Sequence, residues 1–273
     1  FDIDVRSVGL SQPAGSPVQL DPFSYRDEWG VTWRKSTPTM PHINVIGPLE
    51  EIDDPTPDDL DTIPWPDPSD PARVQDLRAR ILERRRDADY GIVLGIGNAS
   101  FALAQRARGF GPFLEDMLLY PDFAMALLER INDVVCGFAS AALDVVGDDV
   151  DIVTFGDDMG TQLSTYMAPA LYRSMVKPHH RRLVESIRSR TDATVIMHSD
   201  GAIYDLLADY IECGIQGINP VQVSAHGMDP ARLKRDFGRD LVFWGGIDTQ
   251  QVLPFGSAAD VADEVRARVD DLG

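Results

Sequence analysis

Cysteine is scarce in this chain: two residues, Cys136 and Cys213, among 273. Both lie in segments that read as helix, and one pair is no disulfide framework, so a reducing, cytoplasmic setting is expected. Positive charge is also short. Lys+Arg number 25 against 44 Asp+Glu, giving a net charge of -19. Such a field repels phosphate backbones and anionic lipid heads, which argues against nucleic-acid and membrane partners. No apolar run reaches the roughly 18 residues of a membrane-spanning helix, and no basic-then-apolar leader opens the chain. GIGNAS (95–100) lacks the spacing and the lysine of a phosphate loop. No serine sits on a nucleophile elbow, and no cysteine stands at a strand end. An initiator methionine is absent as well. The chain starts at Phe1 and stops at Gly273 just after a helical stretch, so it reads as a piece cut at both ends from a longer protein.

What is present is a change of rhythm. Residues 1–70 hold short runs and turns: YRDEWGVTWRKS (25–36) reads as a hairpin turning near Gly30, with Trp29 and Trp33 on its arms. EIDDPTPDDLDTIPWPDPSDP (51–71) is acidic and proline-rich, which predicts an extended connector. From 71 to 273 apolar runs and helical periodicities alternate. The strand candidates are 90–97, 151–155, 194–197, 217–221 and 241–247. Between them lie helical patterns at 71–86, 121–146, 169–189, 202–212 and 229–237. A last helix is opened by the capping box SAAD (257–260), with the stripe Val261, Val265, Val269 and Leu272. Strands separated by helices imply βαβ units and a mostly parallel sheet. The expected fold class is therefore α/β, a (β/α)8 TIM-type barrel in one domain, truncated at both ends and carrying an N-terminal hairpin excursion.

Barrel chemistry collects at the C-terminal ends of strands. Those ends bring Asp157, Asp158 and Gln162 from GDDMGTQ, and His198 and Asp200 from HSDG. Later ends bring Asn219 and Gln222, then Asp248. Any one of these could be ordinary turn or cap chemistry, since Asp, Asn and Gly make turns and caps; their recurrence at successive ends is the stronger signal. His198 and Asp200, two apart in an extended segment, share a face and could hold a metal together. Equally, Asp200 could hydrogen-bond the imidazole or cap the following helix. Two ligands are fewer than the three a catalytic zinc usually takes from the protein, and His226 is a further conceivable ligand. His179 and His180, beside Arg181 and Arg182 in mid-helix, read as a solvated basic face.

The ordered run GDDMGTQ, APALYRSMVKPHHRRLVESI, VIMHSDGAI, INPVQVSAHGMDPARLKRDFG and FWGGIDTQQVLP resembles the uroporphyrinogen decarboxylase superfamily over roughly residues 85–273. It looks closest to the branch of corrinoid-linked methyltransferases. The resemblance implies a (β/α)8 barrel. It also implies methyl transfer between a small methylated compound, a corrinoid carried by a partner protein (methylcobamide) and an acceptor thiol activated on zinc, because the thiolate is the nucleophile. That branch carries His-x-Cys-Gly at the strand end and a further cysteine near its C-terminus. Here His198 matches and Asp200 stands where the thiolate ligand would be, and a carboxylate makes a harder site. On this reading His198 and Asp200 hold or replace the metal site, and Asp157 and Asp158 orient substrate or shuttle a proton. Gln162, Asn219, Gln222 and Asp248 would line the pocket, and a homodimer is expected. Two other readings stay open: a tetrapyrrole decarboxylase, disfavoured by acidic strand ends and the missing N-terminal arginine motif, and a non-catalytic barrel docking a corrinoid protein.

Overall fold

The computed structural model describes residues 4–86 and 88–273. The starting residue Phe1 lies outside them. Its backbone is a six-stranded sheet in the order β1 (Val5–Gly9), β6 (Gly91–Asn98), β7 (Ile152–Gly156), β8 (Thr194–His198), β9 (Gly217–Asn219) and β10 (Val242–Phe243). Every pairing in it is parallel. The order is linear, and among the described residues β1 and β10 do not pair with each other. Helices cover one face of the sheet, and the other face lines a cavity. Ile92, Leu94, Val153, Val195, Met197 and Ile218 are all fully buried.

Crossovers supply that cover. Between β6 and β7 run α1's successors α2 (Ser100–Arg108), α3 (Phe110–Leu119) and α4 (Pro121–Val146), α1 itself (Leu77–Arg85) preceding β6. The periodic residues Phe123, Leu127, Ile131, Val134 and Phe138 of α4 are buried against the core, as their spacing predicts. Each such side chain contributes about 1.5–3 kcal/mol by burial. Next come α5 (Pro169–Leu171), a π turn (Tyr172–Val176) and α6 (Lys177–Arg188) before β8. The helix α7 (Leu207–Cys213) precedes β9, and α8 (Pro230–Phe237) precedes β10. After β10 lie α9 (Val252–Phe255) and α10 (Ala258–Leu272). No helix among the described residues is long and apolar enough to cross a membrane.

Several expectations are corrected. The first segment does not stand apart from the parallel sheet, because β1 pairs with β6 along its whole length, Val8 opposite Leu94. The hairpin is real but belongs to a four-stranded antiparallel sheet of β2 (Val18–Asp21), β3 (Ser24–Arg26), β4 (Thr32–Arg34) and β5 (Ile43–Ile46). Trp33 is on its arm, whereas Trp29 sits in the turn, where the Asp27 carboxylate accepts from the Trp29 and Val31 N–H groups and from Trp33 Nε1–H. The acidic connector is packed rather than extended: Pro57–Thr62 forms a 3-10 turn that buries Leu60. Segment 100–119, unassigned from sequence, is helical. In α10 the capping box forms as predicted, but Val265 and Val269 of its stripe stay exposed. Finally, His179 and His180 are buried, not solvated. α6 packs on α4 and turns this part of its polar run inward. Burial first, then neighbouring positive charge, pulls the His179 imidazole down to about 4.

Candidate active site

Register sets the site. Parallel pairing places Gly156 opposite His198 and His198 opposite Asn219, so three strand ends present their last residues in one row. A cavity of about 430 Å3 opens there, lined by Phe155, Gly156, Ile196, His198, Asn219 and Trp244 among others.

His198 is held by its neighbour. Its Nδ1 lies 2.8 Å from Asn219 Oδ1, and Asn219 Nδ2 donates to the Trp244 carbonyl at 3.1 Å. The second bond fixes which way the amide points, so its oxygen accepts and His198 Nδ1–H donates. That leaves Nε2 on the far side of the ring. It faces two carboxylates, Asp158 Oδ1 at 3.7 Å and Asp200 Oδ2 at 3.9 Å. One ligand atom from each of Asp158, His198 and Asp200 lies within 4.8 Å of the others. Burial, and next the Asp158 charge, push the Asp200 carboxyl above its ordinary value, against the opposing pull of His198. The loops are locked to each other: the Asp200 N–H donates to Asp158 Oδ1, and Gly201 N–H donates to Gln222 Oε1. Gly201 has φ +89, and a Cβ there would meet Gly160 backbone atoms at 2.4 Å. Only glycine allows the two loops to close this tightly.

Adjacent acids behave oppositely. Asp158 is partly open, while Asp157 is fully buried beneath it. Asp157 accepts from the Phe101 and Ala102 N–H groups at the start of α2 (3.2 and 2.5 Å) and from His180 Nε2 at 2.7 Å. With the carboxylate accepting, Nε2 donates and His180 Nδ1 accepts from the Tyr172 hydroxyl at 2.9 Å. Asp157 therefore braces the loop that carries Asp158 rather than facing the cavity.

Of the other expected residues, Asn219 lines the cavity. Gln222 is buried as the brace of Gly201. Gln162 is exposed, and its carbonyl accepts from the N–H of His226, which is exposed too and stands outside the His198 group. Asp248 lines a different groove with Arg232 and Glu264, and its carboxylate caps the Gln250 and Gln251 N–H groups. Sequence reasoning gave Asp158 no ligand role and Asn219 no orienting role. The signal for the second was there: Asn219, like His198, directly follows an apolar strand run. Asp158 could have been separated from Asp157 only by knowing which of the pair points inward.

The sequence model of the family Uroporphyrinogen decarboxylase (URO-D) matches residues 49–273. The chain belongs to the uroporphyrinogen decarboxylase family. No curated protein matches it. Among solved structures, a methyltransferase from Methanosarcina mazei superposes with a TM-score of 0.67 at 18% identity, covering 90% of this chain and 66% of that one. At that identity the likeness is one of fold, and the chain spans 66% of that neighbour's length. Within the uroporphyrinogen decarboxylase family an enzymatic role is the natural expectation.

Proposed function

We propose that the chain is a methyltransferase acting at the His198 end of the cavity. It moves a methyl group between a small methylated compound, a corrinoid carried by a partner protein and an acceptor. The parallel sheet is read as six strands of a (β/α)8 barrel, with the reacting groups on its C-terminal rim. What carries the reading is one arrangement: His198, oriented through Nδ1 by Asn219, turns Nε2 toward Asp158 and Asp200.

A zinc site built on thiolates does not fit the described residues. Cys136 and Cys213 are buried in α4 and α7, and burial pushes both thiols up to about 11. The donor set that does fit a cation is one imidazole and two carboxylates, three protein ligands that leave a position open. Nitrogen and oxygen donors suit a harder divalent ion than a thiolate site does. Such an ion would supply Lewis-acid activation of the acceptor. The protein's own residues do the rest. Asn219 keeps the imidazole in one tautomer, and the Asp200 N–H bond to Asp158 Oδ1 holds the two carboxylate-bearing loops together.

Two measurements test this. Metal content and divalent-ion titration should show one ion bound to the wild-type chain and more than about tenfold weaker binding after His198→Ala. Methylcobalamin mixed with the protein and a panel of thiol and phenol acceptors should lose its methyl group, seen in the visible spectrum. An unchanged spectrum with every acceptor, or turnover of uroporphyrinogen instead, reverses the assignment.

A further inference from the structure

A second cavity, of about 300 Å3, adjoins the first: Gly95, Gly97 and Asn98 line both. The two glycines put no side chain on that shared wall. The second cavity lies between the strand ends and the antiparallel sheet, with Leu10, Asp27, Trp29, Leu103, Arg106 and Phe138 around it.

Its charges are nearly all spoken for. The Asp27 carboxylate accepts three N–H donors. Arg73 is buried against Glu28 and donates to the Asp67 carbonyl. Arg108, two residues beyond Arg106, is saturated by Asp116 and the carbonyls of Leu49 and Ile52. Arg106 is the exception: among the described residues its guanidinium makes no hydrogen bond and no ion pair. It lies 5.3 Å from the centroid of the Trp33 ring, which backs it from one side. Asp27, Asp157 and Asp158 act on it only through space, and burial lowers its proton affinity. A half-buried cation with five donors and no acceptor is an incomplete pair.

We propose that Arg106 receives the carboxylate of a bound ligand whose apolar body lies against Leu103, Trp29 and Phe138, with the wall of Gly95, Gly97 and Asn98 opening to the His198 cavity. One planar guanidinium fork matches one carboxylate in a two-bond fit. A phosphate dianion fits poorly, because Asp27 and Glu28 share the cavity and Arg73 is already neutralised. The two cavities together suit a small aromatic or branched acid rather than a tetrapyrrole with many carboxylates. That the end near His198 carries the methyl group rests on the methyl-transfer reading; the carboxylate subsite does not.

Benzoate, benzamide and phenyl phosphate separate these chemistries without any turnover assay. Each is titrated into the purified chain, and binding is followed by tryptophan fluorescence and ligand-observed NMR. Benzoate should bind about tenfold or more tighter than its neutral isostere benzamide. Arg106→Gln should erase that preference, and Arg106→Lys, which keeps the charge without the fork, should retain a reduced one. Equal affinity for benzoate and benzamide, no benzoate binding, or a preference untouched by Arg106→Gln overturns the subsite; tighter binding of phenyl phosphate overturns the carboxylate assignment. The wild-type comparison needs no variant to fold. Failure of metal binding at His198 would sink the methyl-transfer reading alone.

Discussion

Asp200 places a titratable carboxyl beside His198 and Asp158. Its raised pKa has a definite sign for stability. The folded chain binds this proton more tightly than the unfolded chain, whose aspartates titrate near the ordinary value of 3.8. The ionised group is therefore destabilising at neutral pH, and that penalty lifts as pH falls through the raised value. Asp200→Asn in metal-free protein should raise Tm at pH 7 by about 1–2 °C, the group being half exposed. The gain should vanish below about pH 4. A fall in Tm at pH 7 would contradict the cause assigned here. Next to it, Gly201→Ala meets both a positive φ and the Gly160 backbone, so it should cost about 3 kcal/mol or more in urea unfolding. It should also weaken any ion held at His198. HSDG was legible in sequence because an apolar run ending in a polar cluster marks a strand end. The burial of His180 was not: polar pairs in mid-helix look solvated until the helix meets its neighbours.

Elements here are joined by bonds that no local pattern encodes. The α2 N-terminus has no side-chain cap of its own, because Ala99 precedes it. Asp157, more than fifty residues away in sequence, accepts from its first N–H groups and from His180 of α6. That is why residues 100–119 carried no helix signature: the cap is remote, and Gly109, Gly111 and Pro112 interrupt the periodicity. The long helix α4 was plain by contrast, since its stripe is unbroken and its ends carry Pro121 and Gly147. Asp157→Ala removes a cap and a buried partner at once. It should destabilise by about 3–5 kcal/mol in chemical denaturation, and His180→Gln by about 1–3 kcal/mol. A double-mutant cycle between the two should show coupling above about 0.5 kcal/mol. Additive losses would mean that the two side chains act separately and the brace is not a unit.

For the molecule as a whole, the parallel α/β layout could be read from the sequence because short apolar runs alternate regularly with helical periodicities. The sheet's linear order and the packing of the antiparallel sheet beside its rim depend on long-range pairing that periodicity does not report. Charge is the one global property that sequence states outright. A net charge of -19 on 273 residues leaves a large surplus of carboxylates over cations. Several ion pairs do form, such as Arg182–Asp133 and Arg266–Asp263, but their partners are largely exposed and contribute little each. Self-repulsion should then dominate, and screening should relieve it. Tm should climb as KCl rises from 10 mM to 200 mM, where the Debye length falls from about 30 Å to below 10 Å, and flatten beyond. The early steepness separates screening from surface-exclusion effects, which grow only at molar salt. A Tm that is flat or falling over the low-salt range would mean that the exposed pairs, not the surplus of carboxylates, set the electrostatic balance.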